Sequence, residues 1–407
     1  MCIRDRAKGD AAGICALIWS AYPFKTDLEI IAIMNANCRD MGAAGYDTVY
    51  GYGFPNVNDA LRSQSPSNTW CATSRLITSA ALTFSASMSS VANAASPADG
   101  PQENCELNNV GVSHAVWYRF DPPCVGTLNL NTNGSTYDTV LSVFRGTCQD
   151  PIQVACDDDS GTGTQSQITA LTVSSASTYY IKIAAYGVNN AGGALDFNFT
   201  YDPTPPANDH CGEATNISVT PWTSIRCTVG ATNQGCELNE SCELNGVGTS
   251  KSVWWEYTPT ANGKADLDTA GSAYDTVASI WNGCPLGLLF NGTVTCLGRT
   301  QIACDDDGGT GTTSLITGAI LRKGMTYKMK VSAYGAAHAG GDMTMHFDFH
   351  PCPADYNASG NVSVQDIFDF LLDYFAADLD ADMNNSGTVT VQDIFDYLSL
   401  YFAANCS

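Results

Sequence analysis

The chain has 407 residues, room for about two to four domains, and a formal charge of −23 from 18 Lys and Arg against 41 Asp and Glu. That balance excludes the basic surface that nucleic acid or an anionic membrane requires. An aromatic content of 10% with only 14% charged residues excludes a disordered acidic tail. Seventeen cysteines without a CxxC pair point to disulfides made in an oxidising, extracellular setting rather than to zinc. No apolar run reaches the length of about 18 residues that a membrane span needs.

In chain order, MCIRDR (1–6) fits nothing that follows and is expected to be an assembly artefact; without Cys2 sixteen cysteines remain. AAGICALIWSAYP (11–23) and TDLEIIAIMNANC (26–38) have apolar residues at helical spacing, and Thr26 with Glu29 predicts a capping box on the second helix. The stretch from Arg75 to Ala95 has a signal-like look, but it is internal and rich in Ser and Thr, so it reads as strand and loop. A disulfide-rich chain that opens without a leader is expected to have lost its signal peptide by truncation.

An internal repeat dominates the middle. CELNNVGVSHAVWYRF (105–120), YDTVLSVFRGTC (137–148), CDDDSGTGTQSQI (156–168) and YYIKIAAYG (179–187) return as CELNGVGTSKSVWWEY (242–257), YDTVASIWNGC (274–284), CDDDGGTGTTSLI (304–316) and YKMKVSAYG (327–335). Tyr137 and Tyr274 are 137 residues apart and Asp157 and Asp305 are 148 apart, so the second copy carries an 11-residue insertion around Leu288–Cys296. Period-two alternation between Gly-, Asn- and Asp-rich turns predicts antiparallel strands, and their number predicts two tandem jelly-roll-like β-sandwiches, 70–202 and 208–350. The Pro-rich TYDPTPPANDHC (200–211) joins them. Asp157, Asp158, Asp159 and Asp305, Asp306, Asp307, helped by Asp138 and Asp275, are candidate Ca²⁺ ligands, weighed against solvated Asx turns. Cys148–Cys156, Cys284–Cys304, Cys71–Cys105 and Cys211–Cys242 are candidate pairs, although sequence alone leaves the pairing open. Cys124, Cys227, Cys236 and Cys296 have no counterpart in the other copy.

A second repeat closes the chain. ADYNASGNVSVQDIFDFLLDYFA (354–376) and ADMNNSGTVTVQDIFDYLSLYFA (381–403) are offset by 27 residues. An EF-hand-type loop takes oxygens at positions 1, 3, 5, 7, 9 and 12 with Gly at 6. The first loop offers Asp355, Asn357, Ser359, Asn361 (carbonyl), Ser363 and Asp366 around Gly360. The second offers Asp382, Asn384, Ser386, Thr388 (carbonyl), Thr390 and Asp393 around Gly387. Val362 and Val389 are expected to pair across the loops. Ile367, Leu371 and Phe375, and Ile394, Leu398 and Tyr401, are expected to form the buried helix faces. Two Ca²⁺ ions are expected, weakly held because Ser occupies position 5.

These motifs resemble known families. Residues 352–407 resemble a type I dockerin, a small all-α pair of Ca²⁺ loop–helix repeats. That resemblance implies a cohesin-like or cell-surface partner contacting Val364, Gln365, Val391 and Gln392; the alternative is that the valines pack in the core. Cys352 and Cys406 bracket this module. The β units, through Y-D-T-V-x-S and A-C-D-D-D-x-G-T-G-T, resemble bacterial pre-peptidase C-terminal (PPC) domains, which sit behind the catalytic domains of secreted peptidases. Residues 7–64 resemble the end of a subtilisin-like serine peptidase, an α/β remnant without its triad; the position of the nucleophile would fall on Asp5. Gly248-Thr249-Ser250 spells half of that family's nucleophile motif but runs into a strand. The implied protein is mainly β: a non-catalytic C-terminal part of a secreted endopeptidase, with sandwiches for a protein or polysaccharide substrate. The alternatives are an extracellular adhesion or scaffold-binding protein, with Trp222, Trp254 or Trp281 stacking on sugars, or a component of a polysaccharide-degrading complex.

Overall fold

The computed structural model describes residues 8–21, 26–57, 60, 66–78, 82–88, 90–92, 94, 103–105, 111–233, 240–243, 248–284, 286–290, 293–297, 300–384 and 386–403. Cys2, Asp5, Cys236 and Cys406 lie outside this set, as do the side chains of 285–299. The chain divides into two compact units, 1–202 and 203–407.

The first unit opens with α1 (Lys8–Ala21) and α2 (Asp27–Ala36). The Thr26 capping box forms: Thr26 Oγ1 accepts from the Glu29 amide, and Glu29 Oε2 accepts from the Thr26 amide at 2.9 Å. Ile18, Ile30, Ile33, Met34 and Ala60 make a small separate core. Cys15 is the unpaired cysteine of the described residues, while Cys38 is disulfide-bonded. Removing Cys2 therefore does not leave sixteen paired cysteines. Two short strands, β1 (Cys38–Arg39) and β2 (Phe54–Pro55), pair before the sandwich begins.

The first sandwich contains β3 (Arg75–Ile77), β4 (Thr83–Met88), β5 (Val112–Phe120), β6 (Gly126–Asn131), β7 (Thr139–Gly146), β8 (Pro151–Asp157), β9 (Gln167–Val173), β10 (Tyr179–Tyr186) and β11 (Leu195–Pro203). They form a five-stranded sheet ordered β3-β5-β10-β7-β8 and a four-stranded sheet ordered β4-β11-β6-β9. Alternation sends Val116, Tyr118 and Phe120 of one sheet and Leu128, Phe197 and Phe199 of the other into one core.

The second unit repeats the plan with β12 (Thr215–Asn216), β13 (Trp222–Cys227), β14 (Thr249–Tyr257), β15 (Gly263–Asp268) and β16 (Thr276–Trp281). After the insertion come β19 (Gln301–Asp305), β20 (Leu315–Leu321), β21 (Tyr327–Tyr334) and β22 (Asp342–Pro351). The orders β12-β14-β21-β16-β19 and β13-β22-β15-β20 match those of the first copy. The predicted insertion is an added hairpin, β17 (Leu286–Phe290) with β18 (Thr293–Leu297).

Antiparallel sheets commonly leave one face in water. Here the central strands of the five-stranded sheets are buried on both faces: β16 is buried at every residue, and β7 at all but its last two. An N-terminal flap covers the outer face in each copy. Asn68 clamps Trp117, its carbonyl accepting from the Trp117 amide at 2.7 Å and its Nδ2 donating to the Trp117 carbonyl at 2.8 Å. Asn208 clamps Trp254 in the same way, with both distances 2.9 Å. Trp254 and Trp281 are buried beneath this flap and Trp222 packs against the core, so none of the three is an exposed sugar platform.

The flap also explains the cysteines. The pairs are Cys71–Cys148, Cys105–Cys156, Cys211–Cys284 and Cys242–Cys304. The eight cysteines expected to pair do so, but crosswise. Cys71 and Cys211 tie the flap, and Cys105 and Cys242 tie the connection that enters β5 or β14, to the β7–β8 or β16–β19 edge instead of closing a local turn. Cys124, Cys227 and Cys352 are also disulfide-bonded. Ser250 lies buried in β14 with its hydroxyl donating to the Gly335 carbonyl at 2.7 Å, a structural serine and not a nucleophile.

The closing module has α3 (Val364–Ala376) and α4 (Val391–Ala403). Its core centres on Phe370 stacked on Tyr397, ring centroids 4.3 Å apart, with Ala381 between the helices. Ile367, Leu371, Ile394 and Tyr401 pack around this pair, but Phe375 is exposed and Phe370 takes the place expected of it. Val389 packs on the cluster, yet it forms no ladder with Val362. Asn262 holds the module to the second sandwich: its Nδ2 donates to the carbonyls of Asp355 at 2.9 Å and Tyr356 at 2.8 Å. Among the described residues no helix is long and apolar enough to cross a membrane.

Candidate functional site

Two kinds of acidic site recur, each in duplicate. In the sandwiches the loop after β8 brings Asp158 and Asp159 to Asp138, which immediately precedes β7. The loop after β19 brings Asp306 and Asp307 to Asp275 in the same way. Within each trio one carboxylate oxygen per residue lies within 4.8 Å of the others. Asp157 and Asp305 stay outside the trios. Asp157 Oδ2 accepts from the amides of Ser160 at 3.1 Å and Gln167 at 2.7 Å, and Asp305 Oδ2 accepts from Gly308 and Leu315, both at 2.7 Å. The first Asp of each run is the last strand residue and fixes the turn, and the turn carries the next two Asp to the trio.

The trios carry an electrostatic cost. Burial pushes the Asp138 carboxyl above the usual carboxylate range, and Asp159 pushes it further. Burial and then Asp307 raise Asp275, with His338 acting the other way. The crowding that raises Asp138 and Asp275 is what a hard cation relieves, since Ca²⁺ binds through oxygen. The donor sets therefore fit the ion.

In the closing module all four position-1 and position-12 aspartates (Asp355, Asp366, Asp382 and Asp393) are buried. Asp355 Oδ1 accepts from the Ser359 amide at 2.8 Å and its Oδ2 from Gly360 at 2.7 Å. Asp366 accepts from the amides of Asn357 at 3.2 Å and Ser363 at 2.7 Å. In the second loop Asp382 and Asp393 accept from Ser386, Gly387, Asn384 and Thr390 in the same pattern. The carbonyls of Asn361 and Thr388 accept from Ser359 Oγ at 3.1 Å and Ser386 Oγ at 3.0 Å. Gly360 and Gly387 have φ of +89° and +85°, the left-handed turn that position 6 demands. These bonds fold each loop around its position-1 and position-12 carboxylates, and no Lys or Arg occurs anywhere in 352–407.

Of the residues expected to meet a partner, Val364 and Val391 are exposed and not core. Gln365 and Gln392 are tied back to Asp369 at 2.8 Å and Asp396 at 2.9 Å. Those two aspartates also accept from Asn357 and Asn384, which steadies position 3 of each loop. Phe368, Leu372 and Phe395 extend the exposed apolar stripe along the helices. Sequence reasoning passed over these residues, although their i, i+4 spacing from the valines was there to read.

A profile of the family described as galactose binding domain-like matches residues 67–199 and again 207–345. The chain belongs to that family, twice over. The profile's name associates the family with the T9SS secretion system, and together with the disulfides this fits a secreted, extracellular protein. No curated protein matches the chain. Among solved structures it is similar to a Paenibacillus xanthan lyase, at 15% identity and a TM-score of 0.20 over 59% of this chain and 23% of that one. It is also similar to the CBM32-1, CBM32-2 and M60 catalytic domains of Clostridium perfringens ZmpB, at 7% identity and a TM-score of 0.17 over 78% of this chain and 43% of that one.

Proposed function

We propose that this chain is a non-catalytic attachment region of an extracellular protein. Its two sandwiches bind carbohydrate or a surface ligand with Ca²⁺ held by Asp138, Asp158 and Asp159 and by Asp275, Asp306 and Asp307. The observation carrying this reading is the family membership of both sandwiches, each with its acidic trio at the same place in the fold. The closing module adds two Ca²⁺ loops and acts as a dockerin-like attachment to a cohesin-like or cell-surface protein, supported by the duplicated loop geometry and the exposed Val364 and Val391 stripes. Residues 7–64 are read as the end of a subtilisin-like peptidase domain, supported by the α1–α2 pair and its capping box, and the parent as a secreted endopeptidase.

The test is retention on immobilised polysaccharides with Ca²⁺ and with chelator, for the whole chain and for Asp159→Asn/Asp307→Asn. Binding lost in both the chelated and the substituted protein supports the proposal. Binding indifferent to both overturns the Ca²⁺ role, and failure to bind any glycan overturns the carbohydrate reading.

A further inference from the structure

The two loops of the closing module offer the same donors but have different surroundings. The first loop, 355–366, lies on the second sandwich. Asn262, the residue before β15, donates from Nδ2 to the carbonyls of Asp355 at 2.9 Å and Tyr356 at 2.8 Å. Asn262 is itself held in place: its Oδ1 accepts from the Lys323 amide at 2.8 Å, and its carbonyl accepts from the Cys352 amide at 2.7 Å. Further round the loop, Gly360 sits against Ile320 of β20. A Cβ on Gly360 would fall 2.7 Å from Ile320 Cδ1, closer than carbon atoms pack. In the second loop, 382–393, a Cβ on the equivalent Gly387 would meet no atom of the described residues within 4 Å. Asn384 and Gly387 are exposed where Asn357 and Gly360 are partly buried.

The first sandwich shows what the sheet itself requires. Gly126 pairs with Val173 and Thr127 with Thr172, as Gly263 pairs with Leu321 and Lys264 with Ile320. This register makes Val125 the counterpart of Asn262, and Thr172 the counterpart of Ile320. Val125 and Thr172 are exposed in the first copy, which leads into the Pro-rich join. The sheet therefore folds with neither an amide at the first position nor a large apolar side chain at the second. The second copy carries both, where the closing module touches it.

We propose that the second sandwich preorganises the first Ca²⁺ loop through Asn262 and Ile320, so that this loop binds the ion more tightly than the second and couples it to the docking of the module. The inference rests on the reading of both loops as Ca²⁺ sites. Affinity in such loops is set by ligand charge and by rigidity. Ligand charge is equal here, because each loop brings two Asp, one Asn, a Ser at position 5, a carbonyl and a hydroxyl. Rigidity is left to decide. Asn262 fixes the backbone at positions 1 and 2, and Ile320 buttresses the turn at position 6. The first loop thus loses less conformational freedom when the ion binds. By linkage, the ion tightens the module on the sandwich by the same factor as the sandwich tightens the ion. The second loop has no such buttress at its turn and fills independently.

The experiment is calorimetric titration of the full chain with CaCl₂ in an Asp159→Asn/Asp307→Asn background, which takes one carboxylate from each sandwich trio. Asp366→Ala, Asp393→Ala and Asn262→Val/Ile320→Thr are compared in that background. The last pair installs the first copy's residues, so the sandwich should still fold, and circular dichroism checks it. The expected result is a tighter loop site lost with Asp366→Ala and a weaker one lost with Asp393→Ala. Asn262→Val/Ile320→Thr should weaken the tighter site about 5–150-fold and leave the other unchanged. A first loop no tighter than the second, or one whose affinity survives Asn262→Val/Ile320→Thr, overturns the coupling and leaves the Ca²⁺ loops standing. If neither Asp366→Ala nor Asp393→Ala removes a site, the Ca²⁺ reading of the loops falls and the coupling falls with it.

Discussion

Glu240 is the residue whose removal should cost the second sandwich most. Its carboxylate is fully buried 2.8 Å from the equally buried Lys330 ammonium, which lies 5.8 Å above the Trp254 ring. It also accepts from Ser332 Oγ at 3.0 Å and Thr249 Oγ1 at 3.1 Å. Replacing Glu240 by Ala leaves a buried ammonium and three hydroxyls, Ser279 Oγ among them, without that acceptor. Breaking a buried pair from one side costs about 3–5 kcal/mol. At about 2–4 °C per kcal/mol for a unit of this size, the melting temperature of the second unit should fall by about 6–20 °C.

Replacing both partners, as Glu240→Leu/Lys330→Met, removes the two charges together and should recover most of the loss. Urea unfolding followed by tryptophan fluorescence measures both proteins. The buried Lys182–Glu103 pair of the first unit, 2.5 Å apart above Trp117, serves as the unperturbed control. A loss below about 1 kcal/mol for Glu240→Ala, or a double variant as unstable as the single one, refutes the assignment of this stability to a desolvated charge pair.

Two further outcomes follow from the sites described. Ca²⁺ at about 100 times its dissociation constant should stabilise the whole chain by about 2.7 kcal/mol per independent site. Asp366→Ala and Asp393→Ala should each remove one loop's share in thermal melts, and identical melts with Ca²⁺ and chelator refute metal binding by the loops. Burial holds the Tyr118 and Tyr274 hydroxyls up at about 12. Their folded pKa values are raised above the unfolded value of about 10, so the stability they contribute is whole below pH about 10. It is lost as pH rises toward about 12. Denaturant midpoints across that window should fall for both sandwiches, and Tyr274→Phe should flatten the fall in the second.

The acidic trios and the buried charge pairs are duplicated between the sandwiches, so each copy serves as the other's reference. The copies differ on the outer face of the four-stranded sheet, at His350 against Asp202. They agree where the fold is held, at Asn68 and Asn208, at the Lys–Glu pairs, and at the crosswise disulfides.

By itself the sequence determined the duplication, the strand alternation, the Asp-rich turns, the Thr26 cap and both loop–helix repeats. Each of these is a local pattern in which spacing alone dictates geometry. Strand alternation also says which residues share a face. It does not say what covers that face or which strand lies beside it. Hence the choice between sugar platform and core for Trp254 and Trp281 fell to the flap that covers them, and cysteines paired in thought with near neighbours bonded instead across 51 to 77 residues. The Glu240–Lys330 contact spans 90 residues, and Asp266 meets His350 across 84, so both depend on strand order. Only the tertiary structure decided these. A buried charge or a shared ligand site depends on which distant segments the sheet brings together, and no periodicity in a single strand records that.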